Sequence, residues 1–444
     1  FHERCRRFGK AKKCMKKIDL TRVSLAINGG NPVRTDPWLD NITTGEEEKL
    51  AVMRVMDSGF LSLFEGSHTP DTPFSFNGGP EVQCLEDEWS DYYGVKHSIS
   101  VNSATSGLYA AIGALEIGYG DEVIVSPYTM SACAIAPLIY GAIPVFADVE
   151  LNNGSLDPKS IAERISSRTK AILVVHQFGI PADMDAIMII AKKHGIKVIE
   201  DCAQAHGAKY KDQYVGTIGD IGVFSLNVNK AIQSGEGGVC ITNNNNLAYR
   251  LRLIRNHGEA VVDAADYKNI VNIAGFNYRL TELQAAIARV QLKKMNQMNT
   301  VRLEYIDYLI DGLSDIPFLK PMLSRDKCYS TYYVMPIRFD KCSALIKREE
   351  FVTAVNAEGA KFYQGYVKPL YLQPLYQQQI LYKKGYPFEA PVNSHCKMDY
   401  KHGICPNAEK LYFDEMLINE HIRPPQSIED IKTILTILKK IYPH

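Results

Sequence analysis

Three clusters of polar residues, each directly after a short apolar run, carry the side chains that could do chemistry. In the last of them, Ser225-Leu226-Asn227-Val228-Asn229-Lys230 leads into Ser234-Gly235-Glu236-Gly237-Gly238. A lysine between an apolar strand and a glycine-rich turn is partly desolvated, which disfavours its ammonium form and leaves a nucleophilic amine suited to a Schiff base. A surface loop is the commoner place for any one lysine. In the middle cluster the run KVIEDC ends on Glu200 and Asp201, with Gln204 and His206 following. Burying a carboxylate is costly unless it is paired, and a protonated pyridine nitrogen would be such a partner. The alternative is that one acid caps a helix and the other faces solvent. In the first cluster, Asn102-Ser103-Ala104-Thr105-Ser106-Gly107 closes a strand pattern and opens a helical one. Backbone N–H groups and hydroxyls would converge there at a positive helix end, a seat for phosphate, although an ordinary N-cap uses the same residue types.

Such clusters work together only if one scaffold gathers them. Open α/β sheets bind ligands outside the carboxyl ends of their strands, and the chain has the matching pattern. The apolar runs HSISVNS, DEVIVSP, IPVFADV, KAILVVHQF, IKVIEDC, DIGVFSL and GGVCITN alternate with helical stretches between about residues 97 and 245. This alternation predicts an α/β fold with a seven-stranded, mostly parallel or mixed sheet. After Leu280 a long amphipathic helix is expected over LTELQAAIARVQLKKMNQMNTVRLEYIDYLIDGL. The remainder reads as a smaller α+β lobe, with a strand at STYYVMPIRF, helices at KREEFVTAVNAEG and SIEDIKTILTILKKIY, and a Tyr-, Pro- and Gln-rich loop around residues 363 to 390. The expected division is an N-terminal extension and arm (1–44), a large domain (45–295) and a small C-terminal domain (296–444). The asparagines Asn243 to Asn246 suit a turn between strand and helix.

Composition narrows the partners. The 444 residues are 46% hydrophobic and 23% charged, enough to bury a large core in more than one lobe. Fifty basic and fifty acidic residues leave a formal net charge of zero, so no global field would gather nucleic acid or anionic lipid. Ten unevenly spaced cysteines fit reduced thiols in a cytoplasmic protein, with no structural disulfide. The basic N-terminus lacks the apolar stretch of a signal peptide, and no run reaches the length of a membrane span. The residues before Met15 are set aside from fold reasoning.

The three clusters share one order with a known family. Together with NSATSGLYAAIGAL, GDEVIVSPYTMSA, GAIPVFADVE, GIPADMDAI, VIEDCAQAHGAKY, VGTIGDIGVFSLNVNK, SGEGGVCITN, GFNYRLTELQAAIA and CPNAEKLY, they resemble the DegT/DnrJ/StrS-type sugar and cyclitol aminotransferases. The resemblance runs from LAINGGNPVRT to the C-terminal helix and implies a fold-type I enzyme dependent on pyridoxal 5′-phosphate. It implies that Lys230 forms the internal aldimine, Asp201 pairs with the pyridine nitrogen and Gln204 approaches the ring hydroxyl. Thr105, the amide of Ser106 and Ser225 would hold the phosphate, and Asn277 would reach the phosphate of the neighbouring subunit in a homodimer with active sites at its interface. The implied reaction takes an amino group from glutamate or glutamine and passes it to a keto-sugar or keto-cyclitol. Lys230 would move the proton between the donor's α-carbon and the cofactor.

Two positions depart from the pattern. Met130 stands where relatives often place an aromatic ring on the cofactor face; its polarisable sulfur can still cover a ring, with Tyr128 as an alternative neighbour. Tyr371 stands where histidine is common, so acceptor recognition is expected to differ. Relatives that dehydrate or deoxygenate sugars replace the lysine by histidine, so Lys230 points away from that branch. A dehydrative, aromatizing enzyme of the aminohydroxybenzoate synthase type retains lysine and is the alternative, beside a regulatory protein that keeps the fold. His395, Cys396, His402 and Cys405 lack the paired spacing of a zinc site, so no metal is expected. Arg250, Arg252 and Arg255 read as a solvated basic helix face.

Overall fold

All seven apolar runs become strands of one sheet in the computed structural model, which describes residues 18–67 and 73–443. The segment set aside before Met15 lies outside the described residues. The strands β1 (His97–Val101), β2 (Glu122–Val125), β3 (Ile143–Phe146), β4 (Thr169–Val175), β5 (Lys197–Asp201), β6 (Ile221–Ser225) and β7 (Gly238–Thr242) lie in the order β1-β7-β6-β5-β4-β2-β3. Strands β2 to β6 pair in parallel, whereas β7 runs antiparallel to both β1 and β6. Residues of β2, β3, β6 and β7 are buried throughout, as expected of strands covered on both faces.

Pairing register, not chain order, gathers the three polar clusters. Val101 at the end of β1 and Ser225 at the end of β6 both face Gly238, and Asp201 at the end of β5 pairs with Val223 of β6. The carboxyl ends of β1, β5 and β6 therefore share one sheet edge. Gly238 has to be glycine, because a Cβ there would stand 2.7 Å from the amide nitrogen of Ala104 and 2.8 Å from the carbonyl oxygen of Phe224. That close approach seats the start of helix Ala104–Ala114 against β6 and β7.

The long amphipathic stretch is a single helix, Glu282–Leu313, opened by a capping box between Thr281 and Gln284. Its buried Glu282 accepts from the amides of Gly79 (3.1 Å) and Glu81 (2.8 Å), capping helix Pro80–Tyr93 in turn. Beyond it lies an antiparallel four-stranded sheet of Leu319–Pro321, Met335–Phe339, Met416–Asn419 and Tyr363–Gln364. Helices Arg348–Ala357 and Ile428–Ile441 form as the periodicity predicts. Asn244 caps helix Asn245–Arg255 through its side chain, so the asparagine tract is both turn and cap.

Two expectations change. The strand expected over STYYVMPIRF begins only at Met335, because the amides of Thr331 and Tyr333 donate to Gly179 and Phe178 and tie this segment to the large sheet's edge. Arg250 and Arg255 are not solvated but fully buried. Arg250 caps carbonyls at Ala114 and Asn269, and Arg255 pairs with Glu86 at 2.5 Å and reaches the Ser100 carbonyl. Long apolar stems and partner oxygens make this burial tolerable.

The Tyr-, Pro- and Gln-rich loop and the residues after it cover the β3 edge of the sheet. Tyr400 donates to the Pro144 carbonyl (3.0 Å), Asn393 to that of Gly141 (2.9 Å), and Glu122 accepts the Lys397 amide (2.7 Å). An uncovered edge would offer unpaired backbone groups to other chains. Among the described residues no helix is long and apolar enough to cross a membrane.

Candidate active site

Side chains of adjacent strand residues point to opposite faces of a sheet, so the two carboxylates ending β5 meet different surroundings. Both are buried, which removes the reading in which one faces solvent. Glu200 is an anchor: it accepts from the amides of Gly216 (2.8 Å), Ile218 (2.8 Å) and Gly219 (2.6 Å) and pairs with His176 Nε2 (2.9 Å). His176 Nδ1 accepts from the Ala182 amide, so the proton on Nε2 is the one given to Glu200. Glu200→Ala would leave three amides and an imidazole unsatisfied. We expect it to lower stability by about 3 to 5 kcal/mol, read as a shifted midpoint in denaturant titration.

Asp201 is differently placed. Its Oδ1 accepts from the Ala203 amide (2.9 Å) and its Oδ2 from the Cys133 thiol (3.1 Å), a weak donor. Burial pushes its carboxyl above the ordinary range, opposed by those two hydrogen bonds and by the charge of Lys230. No ion pair satisfies it among the described residues, so the acid presents an uncompensated negative charge to whatever fills the space before it.

Lys230 follows β6 in a loop tied down at several points. The Leu226 amide donates to Gly237, that of Val228 to Gly235 and that of Lys230 to Asn227. Gly235 (φ +80°) and Gly237 (φ +155°) adopt backbone conformations that side chains resist. Asn41 Nδ2 donates to the Val228 carbonyl at 2.9 Å. The half-buried amine lies 4.7 Å from the centre of the Tyr333 ring. Desolvation lowers its pKa, Asp201 opposes this and Arg423 adds to it. A lysine so placed holds its free amine at lower pH than a solvated one would.

The other expected residues fall around this pair. Gln204 accepts from the Phe178 amide (2.8 Å) and donates to Tyr366 Oη (3.0 Å), against an aromatic wall of Tyr128, Phe178 and Tyr366. At the helix start both readings of the first cluster coexist. Ser103 caps the Ser106 amide at 3.1 Å, Ser106 Oγ donates to Asn102 Oδ1 at 2.6 Å, and Thr105 is exposed beside them. Ser225 is buried at the end of β6, with its Oγ accepting from the Asn227 amide. Asn277 lies against the same cluster: its carbonyl accepts from Asn102 Nδ2 (3.3 Å) and its side chain from Arg279 Nε (2.7 Å). Met130 is exposed, whereas Tyr128 is fully buried with its hydroxyl on the Gly365 carbonyl (2.6 Å). Tyr371 is fully buried and donates to Glu409.

Several neighbours carry no signal in the sequence. Cys133, Tyr333, Tyr366, Arg302 and Arg423 reach this region from distant segments, and the periodicity of their own elements marks them only as core or loop. His206 lies within the quoted motif DCAQAHG, yet its setting shows only in three dimensions: burial and the Lys230 charge push its imidazole down to about 3, so it is neutral.

Comparison with known proteins agrees with this geometry. The profile of the DegT/DnrJ/EryC1/StrS aminotransferase family matches residues 71–433. The spore coat polysaccharide biosynthesis protein SpsC of Bacillus subtilis (strain 168) is 34% identical over 346 residues, 77% of this chain and 85% of that protein. An aminotransferase from Psychrobacter cryohalolentis superimposes with a TM-score of 0.77 at 28% identity, covering 92% of this chain and 99% of that one. S. venezuelae DesV, solved in complex with a ketimine intermediate, gives 0.74 at 29% identity, covering 90% and 95%. These neighbours are aminotransferases of the fold-type I class, which uses pyridoxal phosphate. A profile match this long, together with the sheet that brings the three clusters to one edge, establishes that the chain belongs to the DegT/DnrJ/EryC1/StrS aminotransferase family.

Proposed function

We propose that this chain binds pyridoxal 5′-phosphate through Lys230 and transfers an amino group from glutamate or glutamine to a keto-sugar or keto-cyclitol. The observation that carries the reading is a buried acid, Asp201, that makes no ion pair among the described residues and lies in electrostatic reach of a half-buried lysine at the same sheet edge. A pyridinium nitrogen is the cation that acid lacks, and an aldehyde is what that amine attacks. When bound, the cofactor supplies an electron sink for the bonds at the donor's α-carbon.

Asp201 would hold the proton on the ring nitrogen, and Gln204 would hold the ring hydroxyl. Thr105, the Ser106 amide and Ser225 would hold the phosphate at the positive helix end, where the Ser106 amide now donates to Ser103. Met130, exposed in the cofactor-free chain, would cover the ring face. Lys230 would take the donor's α-proton and pass it to the cofactor's aldehyde-derived carbon, and with the acceptor bound would carry a proton from that carbon to the acceptor's former keto carbon. Leu50, Met53 and Met56 project apolar side chains into solvent from helix Glu46–Ser58, and Phe60 and Leu61 follow. Contiguous exposed apolar residues of this kind support a homodimer, in which Asn277 reaches the partner's phosphate. Within each subunit the large lobe, 45–295, carries the cofactor, and the small lobe, 296–444, closes the site. The name of SpsC, a polysaccharide biosynthesis protein, supports a sugar acceptor.

The test is a half-reaction. Cofactor-loaded enzyme mixed with glutamate or glutamine should convert its pyridoxal absorbance to that of pyridoxamine phosphate, and a keto-cyclitol or a nucleotide-linked keto-sugar should reverse the change. No spectral response to either donor would exclude transamination.

A further inference from the structure

A carboxamide has two ends of nearly the same shape, and its partners decide which end faces what. The Phe178 amide can only donate, so the end of Gln204 that meets it at 2.8 Å is the oxygen. The nitrogen then faces Tyr366 Oη at 3.0 Å. One of its two hydrogens goes to that hydroxyl, and the other makes no hydrogen bond among the described residues. Tyr366, an acceptor here, must send its own proton elsewhere. Gln177, directly after β4, is wholly buried and reaches the Tyr366 hydroxyl, yet neither end of its amide has a completed hydrogen bond. Buried amides without partners are rare, and a small turn of the Tyr366 O–H toward Gln177 Oε1 supplies one. Burial first, then Tyr333 and Asp201, push the phenol above its ordinary range against Gln177 and Gln204, so the hydroxyl stays protonated and serves as a hydrogen-bond partner, not as an acid.

The backbone is strained to put that hydroxyl there. Tyr366 leaves the small antiparallel sheet just past Tyr363–Gln364 with φ +68°, in the left-handed region that bulky side chains resist. The residue before it is held on both sides: Tyr128 donates to the Gly365 carbonyl at 2.6 Å, and the Gly365 amide donates to the Met416 carbonyl at 3.0 Å. So fixed, the Tyr366 ring packs edge-on against Phe178, with ring centres 5.0 Å apart, and against Tyr128 at 5.8 Å. Phe178, whose amide orients the oxygen end of Gln204, is itself at φ +59°. Two strained residues, one from each sheet's edge, therefore converge on one carboxamide, and strain of this kind clusters at functional sites. A phenylalanine at 366 would pack equally well, so the hydroxyl has another use.

We propose that Tyr366 is a positioning residue for the cofactor: its hydroxyl, backed by Gln177, turns the Gln204 carboxamide so that the free Nε2–H is presented to the oxygen on the cofactor ring. The assignment rests on the cofactor reading above, and it adds a means of setting how readily that oxygen carries negative charge. An N–H donated to the oxygen stabilises its charged form. The charged oxygen is also the natural partner of the proton on the imine that Lys230 forms, because the two groups stand on adjacent ring carbons. With the amide misaligned, the oxygen becomes more basic and the imine proton is held more tightly.

The experiment follows the visible absorbance of the cofactor-loaded protein through a pH titration, a readout independent of turnover. Tyr366→Phe keeps the ring and its packing and should raise the midpoint of the absorbance change by about half to one pH unit. Gln177→Leu, which breaks the same chain of bonds without touching Tyr366, should raise it by less. Gln204→Ala should raise it as well, and in that background Tyr366→Phe should add nothing, because a residue that acts through Gln204 has no route left. An unmoved midpoint in Tyr366→Phe overturns the proposal, and so does a shift that survives in the Gln204→Ala background, which would put the hydroxyl itself on the cofactor. Lost thermal stability with an unmoved pH midpoint would make Tyr366 a packing residue only and likewise overturns it. A wild type that shows no visible band of a lysine-bound cofactor overturns the Lys230 reading and this proposal with it, whereas a titrating wild type beside an unmoved variant overturns this proposal alone.

Discussion

Lys230→Ala is expected to reduce transamination by at least ~10³-fold and to leave no cofactor on the chain after borohydride reduction and peptide mapping. The size of the effect follows from two duties falling on one nitrogen: attachment of the aldehyde and transfer of the donor's α-proton. Neither duty passes easily to a neighbour. Burial, the largest cause, pushes the His206 imidazole down to about 3 and leaves it a weak base, and Arg423 cannot lose a proton. The loop that positions the amine is fixed by backbone contacts from Leu226, Val228 and Lys230 itself, none of which uses the lysine side chain. The alanine variant should therefore fold and keep a free phosphate seat, so the loss would be chemical. A reduced adduct persisting on another lysine would show that the wrong nucleophile had been chosen.

How far the sequence reveals this site depends on which distances are local. The seven strands were legible because buried parallel strands read as continuous apolar runs, and Asp201 and Ser225 were legible because each closes such a run. The N-cap reading of the first cluster was local too, and Ser103 caps the helix as its residue type suggests. The strand at STYYVMPIRF was read too long because its first half satisfies its amides on Gly179 and Phe178, more than a hundred residues away, and no period-2 pattern marks that change of partner. Arg250 and Arg255 were misread for the same reason. Charge at helical spacing looks like a wet face until the carbonyls at Ala114 and Asn269 and the acid at Glu86 appear as partners. Cys133, Tyr366 and Arg423 are the sharpest cases. What they touch is set by strand order and by the small lobe packing on the large one, and their own neighbours in the chain say nothing about it.

Asp201→Asn should lower kcat/KM for the donor by roughly 10²- to 10³-fold, the loss typical of removing one preorganised electrostatic partner from a buried site. The amide keeps the shape and can still accept from the Ala203 amide, so what disappears is the negative charge opposite the ring nitrogen. A structural role for Asp201 would instead appear as lost folding with little change in the chemistry of the folded fraction. The pH dependence separates the two further. Burial raises the Asp201 carboxyl above its unfolded value, so the cofactor-free native state binds more protons at this group than the unfolded chain and loses stability as pH rises through the folded pKa. A cation bound opposite the acid removes that penalty. The thermal stabilisation conferred by the cofactor should therefore grow as pH rises through the raised pKa and shrink below it, where the acid is already protonated. Asp201→Asn has no charge to relieve and should flatten this component of the difference. The same stabilisation at every pH in wild type, or an unchanged slope in the variant, would mean that the acid is compensated by something other than the ring nitrogen.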